Sequence, residues 1–351
     1  MGTRTFDIGT AIFYFFKRFG ENPGGAIRIA LSQIVVCGLL VAGALLILSP
    51  IWAGLVELVI LEESGQLTEE MAVRHVLTML GSSLFLVVLA VPLGIAAALM
   101  FQAAWLRFLT RGEVKPGFPL RLGGDEMRLL GVNLLYIAIG IALYIAVAIA
   151  IVMSGLGAAL IVKGGGESLG AGIGAGLLVA LAALAIAIFI LVVAVRLASA
   201  PGLTVLEGRL RFFESWGATK GVFWHMLVSY IAVWALIMVI SSILGFVVQL
   251  FLLGAMLPVI MEIVALEEAG GTADPQQVFD ALGAGLSNPV AVAALVLTFV
   301  LAYAMQIMLE GMWHGVGAYN AARAAGDDGG RDLEAAQLDD DSPLGASPKE
   351  G

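Results

Sequence analysis

Charge is scarce in this sequence: only 13% of its 351 residues are Asp, Glu, Lys or Arg, against 60% hydrophobic. With a mean hydropathy of +1.00, that balance excludes a soluble globular domain. Cysteine is rarer still. Cys37 stands alone, so no disulfide can close within the chain, and its thiol is expected to serve packing. Catalytic signatures are missing as well, with no nucleophile elbow, zincin motif or dinucleotide fingerprint. The chain is therefore expected not to be an enzyme, and no cofactor, resident metal or nucleic-acid partner is expected. Chains of buried charge of the kind that ion-coupled transporters use are also lacking, which leaves transport open only for something weakly polar or lipidic. Gly164-Gly165-Gly166 lacks the lysine and hydroxyl of a phosphate loop and reads as a flexible turn.

What the chain does have is long apolar runs. Six of them, at 29–48, 76–105, 129–153, 171–195, 222–244 and 290–308, can each cross roughly 30 Å of hydrocarbon. The first is too long for a signal-peptide core and no small-residue cleavage pattern follows it, so it is expected to be a retained span. Lysine and arginine fall almost wholly on one side of these runs: 16 lie in the N-terminal segment, the second and fourth connections and the C-terminal segment, and only Arg74 and Lys163 lie on the other side. That bias predicts cytoplasmic N- and C-termini in a multi-pass membrane protein. Residues 326–351 carry eight acidic side chains between Asp327 and Glu350 and almost no large apolar ones. Such a segment is expected to be a disordered acidic tail, free or docked on a basic partner protein.

The chain also repeats itself. ELVILEESG at 57–65 returns as EIVALEEAG at 262–270, and each copy leads to a helix start, Thr68 before Glu69-Glu70 and Asp274 before Pro275. Breaks are expected about thirteen residues later, at Gly81-Ser82-Ser83 and Ser287-Asn288-Pro289. Upstream, FFxx[FW]GxxxG occurs from Phe15 and again from Phe212, with a weaker counterpart at 122–131. The expected fold is all-α: a polytopic bundle of six transmembrane helices forming three hairpins, each preceded by an interfacial amphipathic helix. The transmembrane domain covers 1–325, with units at about 1–109, 110–198 and 199–325. Ile8, Ile12, Phe15 and Phe19 would face lipid in the first interfacial helix, with Lys17 and Arg18 available to phosphates; Leu203, Leu206, Leu210, Phe213 and Trp216 would do so in the third, beside Arg209 and Arg211. Glycines at 170–176 predict that the fourth span sits centrally. Gln33, Asn133, Ser241, Ser242, Gln249 and Gln306 are expected to supply interhelical hydrogen bonds.

A few polar residues invite a functional reading. A helix starting near Ile27 rises roughly 45 Å by Glu57 at 1.5 Å per residue, which leaves the hydrocarbon on the far side. Glu57 and Glu262 thus belong to helical extensions there, or form a carboxylate pair across a pseudo-symmetric site. Arg74 and Asp280 occupy equivalent repeat positions and either bridge the first and third hairpins or stay solvated. Glu310 and His314 share a helical face near the cytoplasmic end of the last span, with His225 at the same level on the fifth; they suit a metal or proton site, an intrahelical contact, or independent interfacial roles.

The segments at 211–224 (RFFESWGATKGVFW) and 315–323 (GVGAYNAAR) resemble those of a six-span inner-membrane protein family of alphaproteobacteria. That group is similar to the membrane domain joined to some glycerophosphodiester phosphodiesterases. The resemblance spans about residues 1–325 and rests on interfacial-helix and packing patterns. It implies a six-span fold in the bacterial inner membrane and no particular activity, since no phosphodiesterase catalytic domain is attached. The function expected is a non-enzymatic membrane module that binds lipid or a partner protein; the alternative is a transporter or lipid translocator using a cleft between the first and third hairpins.

Overall fold

Each helix begins and ends where the local chemistry allows. The computed structural model describes residues 5–63, 65–165, 169–268, 280, 283–284 and 287–326; the helix start expected at Asp274 and the acidic tail lie outside them. Asp7 caps α1 (Ile8–Glu21) by accepting from the Thr10 N–H at 3.1 Å. Pro23, whose missing N–H is harmless in a first turn, opens α2 (Pro23–Glu63). Thr68 accepts from the Met71 N–H at 3.3 Å and starts α3 (Glu69–Arg111), which Gly112 closes at φ 69°. There follow α4 (Gly124–Gly165), α5 (Leu169–Leu197), the short α6 (Ala200–Glu207) and α7 (Glu214–Ala218), and α8 (Phe223–Glu268). The last, α9 (Pro289–Ala324), starts at Asn288, whose side chain accepts from the Val290 N–H at 2.9 Å.

Six of these helices are long and apolar enough to cross a membrane, and the chain is an all-α, multi-pass membrane protein. α2 with α3, α4 with α5, and α8 with α9 pack as three antiparallel hairpins. All three begin and end at the arginine-rich end of the bundle, where α1, α6 and α7 also lie. The buried side chains concentrate there, in Ala97–Thr110 of α3, Asp125–Val132 of α4 and Ile307–Ala322 of α9. Farther along, Leu77, Leu84, Val88 and Ile141 are exposed, as suits surfaces meeting lipid tails that are as apolar as leucine itself.

The centre of the bundle is α9. A Cβ on Gly311 would overlap the Phe15 ring, one on Gly315 would lie 3.3 Å from the Phe15 backbone nitrogen, and one on Gly317 would lie 2.5 Å from the Ala198 carbonyl oxygen. These glycines let α1 and the α5–α6 junction press against α9. The expected central place of the fourth span is corrected. Its glycine-rich start packs on its own hairpin partner, with Gly174 beside Ile161 at 3.7 Å, and most of α5 faces outward.

Other expectations change too. In the second unit residues 112–123 form no helix, and the counterpart at 122–131 supplies the first turns of α4 itself. Gly81-Ser82-Ser83 does not interrupt α3, whose 43 residues extend about 64 Å, because hydrocarbon gives backbone groups no alternative partner. Residues 203–216 form two short helices turned by Gly208 at φ 64°, with Leu203 and Phe212 buried, not one helix lying flat on lipid. Arg209 and Arg211 are matched by Glu207, and Arg211 also by Glu214 at 3.0 Å. Arg18 is 5% exposed and turned inward, so it is not available to lipid phosphates.

Replacing Gly317 by alanine forces a methyl against a backbone carbonyl, a strain of about 1–3 kcal/mol. Its thermal unfolding in nanodiscs should shift down by several degrees, whereas Gly155→Ala, whose Cβ meets nothing within 4 Å, should leave the midpoint unchanged or raised.

Candidate functional site

Helix ends in a bilayer leave carbonyls that need donors, and arginine fills that need repeatedly here. Arg18 donates from Nε to the Leu109 carbonyl at 3.0 Å, beside the Tyr14 hydroxyl donating to the same oxygen at 3.0 Å, so α1 caps the end of α3. Arg111 donates to the Val205 carbonyl at the end of α6. Arg323 donates to the Ala218 carbonyl of α7 at 3.0 Å, and Asn320 joins it by donating to Ser199 Oγ at 2.9 Å. The Arg196 guanidinium lies over the Phe223 and Trp216 rings, 5.1 and 5.6 Å from their centroids.

At the centre of this layer Arg107, 1% exposed, donates to Glu126 at 2.7 Å and to Asp125 at 3.4 Å. Arg111 and Arg128 meet the same Asp125 at 3.4 and 3.1 Å. The start of the second hairpin is thereby tied to the end of the first. In the sequence Asp125-Glu126 stands as an acidic pair among Arg107, Arg111, Arg121 and Arg128, a charge signal that the interfacial pattern at 122–131 does not express. On the exposed rim the Glu214 carboxyl is held below its usual range by its own backbone N–H and by Arg211.

The residues singled out from sequence do not converge. His314 Nε2 stands 3.6 Å from Glu310, an intrahelical pair, while His225 packs against the Phe6 ring with centroids 6.2 Å apart. Among the described residues no three His, Cys, Asp or Glu side chains are placed to hold a metal. Glu57 meets His75 Nε2 at 2.9 Å, and both line a cleft of about 360 Å³ with Arg74, Pro50 and Met79, all from the first hairpin. His75 was missed although it sits one α3 turn after Met71, whose carbonyl its Nδ1 faces at 2.9 Å. Glu262 lies within α8, with its side chain outside the described residues. Arg74 and Asp280 form no ion pair among those residues.

A larger cavity, about 520 Å³, opens between the second and third hairpins. Ile139, Leu143, Ile190 and Leu191 line its deep part; Gln102, Asn133, Tyr136, Tyr230, Trp313 and His314 line the part toward the arginine-rich end. Asn133 donates to Gln102 at 2.9 Å and Tyr136 donates to the Leu197 carbonyl at 2.6 Å, which brings α3, α4 and α5 together around it. Of the polar residues expected to join helices, Gln33 also does so, accepting from Trp105 Nε1 at 2.7 Å, whereas Ser242 donates within its own helix. The volume falls in the range of roughly 300–1,000 Å³ typical of sites for small organic ligands.

No protein-family model, curated protein or solved structure matches the chain.

Breaking the buried pair tests the polar layer. Arg107→Leu or Glu126→Leu alone leaves an uncompensated buried charge and should cost about 3–5 kcal/mol, read as loss of monodisperse protein and a lower unfolding midpoint. The double replacement should recover most of that loss, so the coupling in a double-mutant cycle should be large and favourable.

Proposed function

We propose that this chain is a non-enzymatic inner-membrane module that holds a lipid in the cleft between its second and third hairpins. One observation carries the reading: a cavity of about 520 Å³ is apolar toward the membrane interior and polar toward the arginine-rich end, the same gradient that runs along a membrane lipid. The arginine bias supports placing that end and both termini in the cytoplasm, so the bound lipid would belong to the cytoplasmic leaflet. The acidic residues from Asp327 to Glu350 suit a basic partner protein on the same side, which would make the module a link between a lipid and that partner.

The transport reading required a cleft between the first and third hairpins. At mid-depth those hairpins meet directly, with the Cys37 thiol and the Tyr303 hydroxyl sharing a hydrogen bond at 2.6 Å and a Cβ on Gly38 lying 3.8 Å from the Phe299 ring. The cleft beside Glu57 is built by the first hairpin alone. Lipid binding is therefore the better-supported function.

Gly140 lines the cavity, and a Cβ there meets nothing within 4 Å, so tryptophan at this position should fill the cleft without disturbing the bundle. Protein taken from native nanodiscs through mild detergent should retain about one lipid per chain by intact mass spectrometry, and Gly140→Trp should retain none. Equal retention in the two, or none in the parent, would remove the cleft as a lipid site.

A further inference from the structure

We infer that the cleft selects an uncharged glycerolipid of the diacylglycerol kind, whose hydroxyl and ester carbonyl are read by Asn133, Gln102 and Tyr230; this rests on the lipid-binding reading above. Bilayer tails are as apolar as the cleft walls, so a chain gains little by moving from one to the other. Selection must come from the polar groups. Asn133 Nδ2 donates to Gln102 Oε1 at 2.9 Å, and that bond leaves the Gln102 amide NH₂ and the Asn133 carbonyl oxygen with no other hydrogen bond among the described residues. Exchanging nitrogen and oxygen in both amides leaves the same inventory, one free donor group and one free acceptor. The Tyr230 side chain lines the same cavity at 9% exposure, and its hydroxyl likewise has no hydrogen-bond partner among those residues. Polar groups left unmet at membrane depth are costly, and a ligand offering both a hydroxyl and a carbonyl would satisfy them.

Charge decides against a phosphate. The lining contains no lysine or arginine, and its single histidine, His314, has a carboxylate 3.6 Å away. The arginines nearest in sequence do not line the cleft: Arg196 lies over its aromatic rings and donates to Thr219 at 3.3 Å, and Arg107 donates to Glu126 at 2.7 Å, although Arg196 Nε and Arg107 Nη2 are buried without a hydrogen-bond partner among the described residues. A phosphate drawn into the cleft would lie in low dielectric without a counter-ion. Depth points the same way. Asn133 follows Asp125 by eight residues of α4, about 12 Å along the helix, so the reading groups sit inward of the charged layer where phosphates reside. A lipid lacking a phosphate can bring its glycerol oxygens down to that level and send a chain past Ile139 toward Leu143 and Ile190.

The test uses the full chain in nanodiscs doped with photoreactive diacylglycerol or with photoreactive phosphatidylglycerol carrying the same acyl chains. Adducts are counted by intact mass spectrometry and mapped by peptide. Diacylglycerol is expected to give about tenfold more adduct on peptides containing Leu143 or Ile190, the ratio that one or two net hydrogen bonds supply. Asn133→Leu should bring that ratio to near one with chain adducts still present. Tyr230→Phe, which keeps the ring and removes only the hydroxyl, should lower it several-fold at an unchanged unfolding midpoint. Equal labelling by the two lipids, a preference for phosphatidylglycerol, or a ratio unmoved in both variants would overturn the diacylglycerol assignment and leave lipid binding standing. Absence of cleft adducts from either lipid would overturn both.

Discussion

The contact between Arg107 and Glu126, two nearly inaccessible charges 2.7 Å apart, holds the first and second hairpins in register. In a bilayer there is no hydrophobic force to bring helices together, so order must come from close packing and from polar groups that find their partners only in one arrangement. A buried ion pair is a weak source of stability, because desolvating both partners offsets their attraction, but it penalises every arrangement that separates them. Asp125, shared by Arg107, Arg111 and Arg128, extends that constraint along the whole α3–α4 junction.

The remaining contacts at this end follow from the same requirement. Tyr14 and Arg18 end α3, Arg111 ends α6, and Arg323 ends α7, so positive side chains sit at the negative ends of helices and supply their missing donors. The Gly311, Gly315 and Gly317 series removes the side chains that would otherwise keep α1 and α6 off α9. With order secured at one end, the outer lengths of the hairpins are left to meet lipid. The cleft between the second and third hairpins opens just beyond this packed layer.

The spans were legible because hydrocarbon thickness imposes their length, and the start at Thr68 because capping is a local chemistry of a few residues; Asn288 was legible only as a break, and it caps α9. The phenylalanine–glycine motifs were legible as repeats, but their roles were not. Phe15 faces Gly311 across nearly the whole chain, a pairing that no local pattern records. Arg18 and Arg211 look alike in sequence as interfacial cations; one is buried on the α3 terminus and the other is paired with Glu207 and Glu214 at the surface. Periodicity could not distinguish them, since both lie beside apolar residues at helical spacing. The Glu310–His314 pair was visible from its spacing of four. The Asn133–Gln102 pair was not, because it joins helices from different hairpins.

The most direct measurement is a pair of spin-label distance distributions in nanodiscs, on a Cys37→Ser background. One pair, at Lys115 and Lys220, reports the arginine-rich end; the other, at Leu77 and Met153, reports the opposite end of the first and second hairpins. The expected result is a narrow distribution for the first pair and a distinctly broader one for the second. Equally narrow distributions at both ends, or a broad one at the arginine-rich end, would contradict a bundle ordered by its layer of buried charge.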